Sequence, residues 1–381
     1  MQYDIPLARP DITQHEIDSV VEVLQSDVLS IGPMVIEFEK RCARLAGRRH
    51  GVAVSSGTVG LHCCAIAAGI SHEHEVITTP FSFVASSNAA MFVGAKPVFV
   101  DIDPKTLNMD FSQVAAAITP KTKAIVAVEV FGHPGGMVEI ERIAQQHELV
   151  LIEDCCEGFG GSAANRPIGS FGRAGVFGFY PNKQITTGEG GMIVTDDDAF
   201  AAMCRSLRNQ GRDGMAWLAH QRLGYNYRMN EMSAALGVAQ IDRLDEILNR
   251  RRAVAHLYMT RLMASRYLIV PTISDDDHMS WFVFVVRLND LFEPHHRDQA
   301  IAELRAVGIG CTNYFPPIHL QPYMVEKFGY QPGSFPITEY VAARTIALPF
   351  FSKITETKVD DVCTTLEAIL DKMLTGHNPR F

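Results

Sequence analysis

Residues 124–154 read AIVAVEVFGHPGGMVEIERIAQQHELVLIED, and the fold class follows from this stretch. The apolar runs at 124–131 and 149–154 are each short enough to be a buried strand. Between them, after a turn that contains Gly and Pro, residues 137–147 carry apolar positions at helical spacing. A strand, a helix and a second strand in this order form the unit from which parallel sheets are built.

The same alternation extends along the chain on both sides of this unit. We predict strands at residues 51–55, 75–78 and 97–101, and helices at residues 13–26, 34–46, 58–68 and 86–92. The apolar stripe of the first helix consists of Ile17, Val20, Val21 and Leu24. Short apolar strands that alternate with helices predict an α/β fold, in which helices cover both faces of a mostly parallel sheet. Such a sheet binds ligands at the carboxyl ends of its strands.

After residue 240 the pattern changes, which indicates a smaller C-terminal α+β domain. We predict a strand at residues 281–288, helices at residues 240–265, 297–307 and 355–374, and a long ordered loop at residues 314–336. Long loops inside compact domains are more often functional than idle. The predicted domains are therefore residues 1–240, a large α/β domain, and residues 241–381, the small domain.

The bulk composition excludes several classes of partner. A formal net charge of -9 argues against a nucleic-acid partner, because phosphate backbones need clustered Lys and Arg. The chain has no apolar run long enough to span a bilayer and no signal-peptide pattern at residues 1–4, so we expect a cytoplasmic protein with no membrane partner. The eight cysteines form no Cys-x-x-Cys pair, and we expect buried free thiols rather than a metal site.

The second strand of the opening unit ends in two acids, Glu153 and Asp154. Asp154 falls at the carboxyl end of the strand, where a parallel sheet places its catalytic groups. A carboxylate there could keep a pyridine nitrogen protonated, which makes the ring an electron sink. An N-cap for the following helix is an equally good interpretation of this segment alone.

A single lysine lies in the sequence FGFYPNKQITTGEGG at residues 177–191. Lys183 follows an aromatic strand and precedes a Gly-rich turn. A lysine in a desolvated pocket can lose its proton and attack a carbonyl, and glycines let the backbone approach a ligand closely. Taken alone, the segment fits a surface lysine beside a tight turn better.

Small residues at 55–58, Ser-Ser-Gly-Thr, separate the first predicted strand of the sheet from the following helix. Backbone amides at a helix N-terminus favour an anion such as a phosphate, although a simple capped helix start is commoner. The segment lacks the Gly-Lys-Ser/Thr of a Walker loop, and no G-x-G-x-x-G follows the strand, which argues against a nicotinamide enzyme. A phosphate site, an acid and a lysine on one sheet together match the needs of pyridoxal phosphate.

These residues also resemble a known family, the sugar aminotransferases called the DegT/DnrJ/EryC1/StrS family, over nearly the whole chain. The motifs that carry the resemblance are Ile31-Gly32-Pro33, Glu37-Phe38-Glu39, Ser56-Gly57-Thr58, residues 94–101 (GAKPVFVD), Ile152-Glu153-Asp154, Lys183 with residues 187–191 (TGEGG), and residues 224–228 (GYNYR). The resemblance implies a fold-type-I aminotransferase with pyridoxal phosphate as its cofactor. The combination is far more specific than any single motif.

The resemblance implies a role for each matching residue. Lys183 would carry the cofactor as a Schiff base and move protons, and Asp154 would pair with the pyridinium nitrogen. Gly57 and Thr58 would bind the phosphate. Phe83 falls where the family stacks an aromatic ring on the cofactor, although core packing is an alternative for it.

Residues 224–228 match the family segment that crosses between subunits. The resemblance implies a homodimer in which Asn226 reaches the neighbour's phosphate, and it makes Arg228 a candidate substrate-binding residue. A simple turn residue is the alternative for Asn226.

Two positions depart from the commonest family pattern. The family often has Ser five residues before the lysine, whereas this chain has Gly178, so a hydroxyl contact to the phosphate must be lost or replaced. Three residues after Asp154 the family often has His or Gln, whereas this chain has Glu157. Glu157 is similar to the perosamine-synthase-like members, which aminate C4 of a nucleotide-linked 4-keto-6-deoxy sugar.

Residues 314–323, YFPPIHLQPY, resemble the family loop near the sugar. Tyr314 and His319 are therefore candidate substrate-binding residues. A histidine in a Pro-rich loop is as often structural, and the sequence leaves both roles open for His319.

The resemblance implies an enzyme that moves an amino group from glutamate to a nucleotide-linked keto sugar. Amination at C3, another keto substrate, or a regulatory protein on a degenerate scaffold are the alternatives. The family's sugar dehydratases replace the lysine with His, so Lys183 argues against an elimination reaction.

Overall fold

The computed structural model describes residues 3–214, 218–273 and 277–376, in which two sheets carry most of the strands. In chain order the strands are β1 (His50–Val54), β2 (Glu75–Thr78), β3 (Lys96–Phe99), β4 (Thr122–Val128), β5 (Val150–Asp154), β6 (Ser162–Ala163), β7 (Arg166–Pro167), β8 (Ala174–Gly178), β9 (Gly191–Thr195), β10 (Leu268–Ile269), β11 (Asp277–His278), β12 (Phe284–Leu288) and β13 (Thr345–Leu348).

The helices follow in the same way. They are α1 (Gln14–Leu24), α2 (Pro33–Leu45), α3 (Gly57–Ala67), α4 (Ala85–Phe92), α5 (Phe111–Val114), α6 (Met137–Gln146), α7 (Asp198–Arg208), α8 (Glu231–Asp242), α9 (Leu244–Leu262), α10 (Pro294–Ala306), α11 (Pro322–Phe328), α12 (Pro336–Ala342) and α13 (Glu356–Thr375). Short 3₁₀ turns lie at Ala115–Ala117, Val130–Gly132 and Ile318–Leu320.

The large sheet has seven strands in the order β1-β9-β8-β5-β4-β2-β3. Its strands are parallel except β9, which pairs antiparallel with both of its neighbours. In this register the carboxyl ends of β5 at Asp154 and β8 at Gly178 share one edge of the sheet with the start of β9 at Gly191. Side chains that follow these strands are therefore brought together.

Helices cover both faces of the large sheet, as its apolar strands require. Apolar side chains of α3, α4 and α7 pack on one face, and those of α2, α6 and α8 pack on the other. This arrangement confirms the predicted α/β class.

The smaller sheet has the order β10-β12-β13, and it packs with α9, α10 and α13 around a second core.

The predicted helix at 240–265 is wrong in its bounds. Arg243 separates α8 from α9, and α8 begins after its cap Asn230, whose side chain accepts a hydrogen bond from the amide of Ser233. α8 packs on α1 and α2, whereas α9 packs on α13. Ile5 pairs with Ile309, so the chain also approaches the second core near residue 5. The boundary at residue 240 stays a prediction.

One further expectation needs correction. The segment 314–336 is not one loop, because the prolines at 322 and 336 each start a short helix. The stripe on α1 points outward: Ile17, Val21 and Leu24 are 48%, 41% and 58% exposed, while Glu16 is buried. Glu16 is buried because Arg243 and Gln240 hydrogen-bond to its carboxylate.

Within the described residues, no helix is long and apolar enough to cross a membrane. The same part of the chain contains no group of three or more His, Cys, Asp or Glu side chains that could hold a metal ion. Seven of the eight cysteines are buried, Cys156 is half-buried, and all eight are free thiols.

Candidate active site

A cavity of about 640 Å³ opens at the carboxyl edge of the large sheet. Its lining includes Asp154 from the end of β5, Gly178 from the end of β8, and Gly57 from the start of α3. Phe282 and Phe315, which belong to the second core, close another side. A cavity of this size between two parts of a protein is typical of a small-molecule site.

Lys183 lies inside this cavity rather than on the outer surface. The segment after β8 turns so that the amide of Lys183 donates to the carbonyl of Tyr180, and 14% of the lysine side chain is exposed. Its Nζ lies 3.4 Å from Oε1 of Glu157 and 3.9 Å from the ring centre of Phe282. An acid on one side and an aromatic face on the other hold the amine in a defined place.

Glu157 is buried beside Lys183. Its Oε2 accepts a 2.8 Å hydrogen bond from the amide of Phe131. Burial raises the pKa of Glu157, while the charge of Lys183 opposes that rise. The side chain therefore joins the lysine to the end of β4.

Asp154 is also buried and lines the cavity. The next element of the described chain after Asp154 is β6 and not a helix, so the N-cap alternative does not apply. Its Oδ2 accepts a 2.6 Å hydrogen bond from the hydroxyl of Ser86 on α4, whereas Oδ1 has a long contact of 3.4 Å with the amide of Cys156.

The start of α3 faces the cavity with Gly57 and Thr58. The hydroxyl of Ser56 caps the helix by accepting from the amide of Val59. The amides of Gly57 and Thr58 belong to the first turn and have no partner inside the helix, so they suit an anion.

Cys156 occupies the space between Gly57 and Gly178. A Cβ added at Gly57 would lie 2.6 Å from the Cys156 sulfur, and one at Gly178 would lie 3.2 Å from its Cβ and 3.3 Å from its sulfur. The thiol donates toward the carbonyl of Val176 at 3.5 Å. The place where the family often has a serine side chain is therefore crowded by a cysteine.

Two aromatic residues predicted from the sequence line the same cavity. Phe83 is 60% exposed and points into open space rather than into the core. Tyr314 is partly buried and stacks on Phe282 with 6.4 Å between ring centres. Both positions allow contact with a bound molecule.

Asn226 and Arg228 lie away from this cavity. Asn226 is exposed and pairs with Asn209 through the backbone. Arg228 lines a second cavity of about 380 Å³ together with Arg205, Arg208 and Arg212. Within one chain, these two predicted residues are therefore not brought to Lys183.

His319, for which the sequence leaves a substrate contact and a structural role open, lies outside the lining of the Lys183 cavity. Its side chain is fully buried, and its Nε2 lies 3.1 Å from Oε1 of Glu339. Its ring packs on Phe335 and Tyr330. The contact with Glu339 ties the 3₁₀ turn at Ile318–Leu320 to α12.

Sequence reasoning missed three residues that contact the site. Phe282 gave no signal because it lies 99 positions from Lys183 and meets it only after the two cores pack. Asn182 directly precedes Lys183, and Ser86 is the first residue of the predicted helix at residues 86–92. Neither residue belongs to a motif that indicates a function. Asn182 lines the cavity, and its buried Oδ1 has no hydrogen-bond partner among the described residues.

The residues present fit pyridoxal phosphate. The first turn of α3 can hold a phosphate, Asp154 can face a protonated ring nitrogen, and Lys183 offers an amine to an aldehyde. Fold and cavity together define a pyridoxal-phosphate-dependent enzyme.

The chain belongs to the DegT/DnrJ/EryC1/StrS aminotransferase family, whose model matches residues 10–367. This match confirms the family predicted from the sequence, and with it the cofactor and the transaminase class.

Three known proteins show how far the similarity extends. The chain is 37% identical over 378 residues to the spore coat polysaccharide biosynthesis protein SpsC of Bacillus subtilis, and the matched region covers 96% of each chain. It is 36% identical over 369 residues to the GDP-perosamine synthase of Caulobacter vibrioides, covering 96% of this chain and 98% of that one. The PLP form of Spr1654 from Streptococcus pneumoniae superimposes with a TM-score of 0.93 at 26% identity, covering 98% of this chain and all of that one.

Proposed function

We propose that the protein transfers an amino group from glutamate to C4 of a nucleotide-linked keto-deoxy sugar. The observation that carries this proposal is the grouping of Lys183, Asp154 and Glu157 around one cavity. Glu157 is the residue that the perosamine-synthase-like members have at this position, and the GDP-perosamine synthase of C. vibrioides is 36% identical to this chain. These two facts support C4 and a nucleotide-linked sugar over other keto substrates.

Bound pyridoxal phosphate supplies an aldehyde that condenses with amines and a ring that withdraws electrons. Lys183 holds the cofactor and then acts as the general acid and base that moves a proton at the substrate carbon. Asp154 keeps the ring nitrogen charged. Gly57 and Thr58 hold the phosphate with their backbone amides and the threonine hydroxyl.

The remaining side chains orient the reacting groups and exclude water. Glu157 holds Nζ of Lys183 on one side, and the ring of Phe282 covers it on the other. Phe83 would cover the ring of the cofactor, and Tyr314, which lines the same cavity, would contact the substrate. A closed, partly apolar site strengthens each of these electrostatic contacts.

The proposal also includes a cytoplasmic protein that forms a homodimer, in which each active site is built from residues of both subunits. Asn226 and Arg228 line no part of the Lys183 cavity in one chain, so they serve as site residues only when a second copy supplies them. The outward apolar stripe of α1 supports an interface with such a copy. Eight free cysteines are consistent with a reducing compartment.

Incubation with glutamate and a panel of nucleotide keto sugars tests the substrate. The expected result is conversion of a 4-keto-6-deoxy sugar to its 4-amino product together with release of 2-oxoglutarate. A 3-amino product, or a preference for another keto acceptor, would favour the alternative substrates. A protein that binds the cofactor but transfers no amino group from any donor would favour a regulatory role.

A further inference from the structure

Two serines connect Asp154 to the wall of the cavity. The hydroxyl of Ser86 lies 2.6 Å from Oδ2 of Asp154, and the hydroxyl of Ser82 lies 3.0 Å from that of Ser86. Ser86 is fully buried, whereas Ser82 lines the cavity. A separation of 2.6 Å falls in the range of a hydroxyl that donates to a charged oxygen.

The chemistry of the three groups fixes the direction of this chain of hydrogen bonds. An ionised carboxylate can only accept, so Ser86 must donate its single proton to Asp154. Ser86 can then only accept from Ser82, which must donate in turn. The carbonyl of Phe83, 3.3 Å from the Ser86 hydroxyl, is the weaker acceptor, so the hydroxyl proton goes to the shorter contact with Asp154.

The two oxygens of Asp154 are consequently not equivalent. Oδ2 is held by Ser86, and Oδ1 has only the 3.4 Å contact with the amide of Cys156. A carboxylate with one oxygen fixed by a short hydrogen bond cannot rotate freely, so its other oxygen keeps a constant direction.

We propose that Ser86, supported by Ser82, is a positioning residue that fixes Asp154 as the charged partner of the cofactor's ring nitrogen. The inference rests on the proposed role of Asp154. Without the hydroxyl of Ser86, the carboxylate would lose both its alignment and a donor that favours its charged form. The ring nitrogen would then hold its proton less well, and the electron sink would weaken.

Ser87 provides a matched control on the same helix. It is fully buried like Ser86, and its hydroxyl donates to the carbonyl three residues before it, that of Val84 at 3.1 Å. Each serine therefore has the backbone carbonyl three residues before it within reach of its hydroxyl. They differ in that Ser86 reaches Asp154.

The test is the nitrogen-15 chemical shift of the ring nitrogen in holoenzyme reconstituted with labelled cofactor. Ser86→Ala should move the signal at neutral pH toward that of unprotonated pyridine, whereas Ser87→Ala and Ser86→Thr, which retains a hydroxyl, should keep the wild-type position. The rate of the glutamate half-reaction should fall about tenfold in Ser86→Ala, as expected when one hydrogen bond to a charged group is lost. Ser82→Ala should give a smaller shift of the signal in the same direction. If Ser86→Ala does not fold, Ser82→Ala tests the proposal in its place, and an unchanged signal in that variant would overturn it.

Asp154→Asn separates the inference from the function on which it rests. If Asp154→Asn moves the signal and Ser86→Ala leaves it in place, the positioning role is overturned and the role of Asp154 stands. Equal shifts in Ser86→Ala and Ser87→Ala would also overturn it, because they would reflect a general disturbance of α4. If Asp154→Asn leaves the signal in place, the proposed role of Asp154 fails, and the inference fails with it.

Discussion

Nζ of Lys183 lies 3.4 Å from Oε1 of Glu157, in the same cavity as Asp154. Two acids thus line the cavity that contains Lys183, and they are held differently. Asp154 accepts a hydrogen bond from the hydroxyl of Ser86, and Glu157 accepts one from the backbone amide of Phe131. This difference predicts that the two acids have different roles.

Asp154→Asn should slow the glutamate half-reaction about tenfold to over a hundredfold, because the charge that holds the ring nitrogen protonated is lost. Glu157→Gln should retain substantial activity, since a glutamine oxygen can still accept from the amide of Phe131. Single-turnover absorbance measurements with glutamate decide between them. Equal losses would show that the two roles are wrongly assigned, and a greater loss in Glu157→Gln would indicate direct proton transfer by Glu157.

Gly178→Ser should lower the free energy of unfolding by about 1–3 kcal/mol, because overpacking at a crowded site has this cost. The added Cβ would meet the Cys156 sulfur at 3.3 Å. Combining it with Cys156→Ala should recover part of the loss. Urea unfolding of the two single variants and the double variant forms the required cycle. Losses that simply add would contradict the crowding.

The stability of the protein should depend on Glu129 in a pH-dependent way. Burial, then the nearby Glu153 and Asp154, raise the pKa of Glu129 well above its usual range, and neither oxygen has a partner among the described residues. The folded chain then binds more protons than the unfolded chain in the window above the ordinary carboxyl pKa, so the free energy of unfolding falls as pH rises through that window. The slope for one proton is at most about 1.4 kcal/mol per pH unit.

Glu129→Gln cannot titrate, so its free energy of unfolding should fall less between pH 5 and pH 8 than that of the wild type. Urea unfolding of the holoenzyme at both pH values measures this difference. The exposed Glu73, changed to Gln, is the control and should behave as the wild type. Identical pH dependence in Glu129→Gln and the wild type would rule out a raised pKa at Glu129.

The outward stripe of α1 should form part of a subunit interface. Ile17→Asp or Val21→Asp should shift the mass in solution from dimer toward monomer, because a charge would be buried against apolar surface. Leu291→Asp, at a comparably exposed leucine in the smaller domain, should leave the mass unchanged. Sedimentation of each variant at micromolar protein concentration measures this mass. A wild-type monomer with full activity at that concentration would contradict the dimer.

Much of the site could be predicted because parallel strands deliver their carboxyl ends to one edge. Asp154, Lys183 and Gly57 follow three strands of the same sheet, so the strand pattern together with the family resemblance predicted that they would meet. Phe282 and Ser86 could not be found in this way. Their contacts depend on the packing of separate elements, which leaves no periodic signal in the sequence.

Two side-chain directions could not be predicted for the same reason. The Pro-rich segment around His319 gave no information about which way its ring faces, and Glu339 and Phe335 decided that. The apolar stripe at residues 13–26 correctly predicted the helix α1. It could not show which side of the helix is exposed, because Arg243 and Gln240 hydrogen-bond to Glu16 and keep that side buried. Periodicity reports a helix and its apolar face, and long-range partners determine where that face points.

Reduction of the holoenzyme with borohydride, followed by peptide mapping, tests the central claim most directly. Borohydride fixes the cofactor permanently to the amine that carries it. We predict that the label lies on Lys183, in the peptide that contains residues 177–191, and that Lys183→Arg holoenzyme gives no labelled peptide. A label on any other lysine, or an unlabelled Lys183 in a protein that shows the yellow colour of the bound cofactor, would contradict the account.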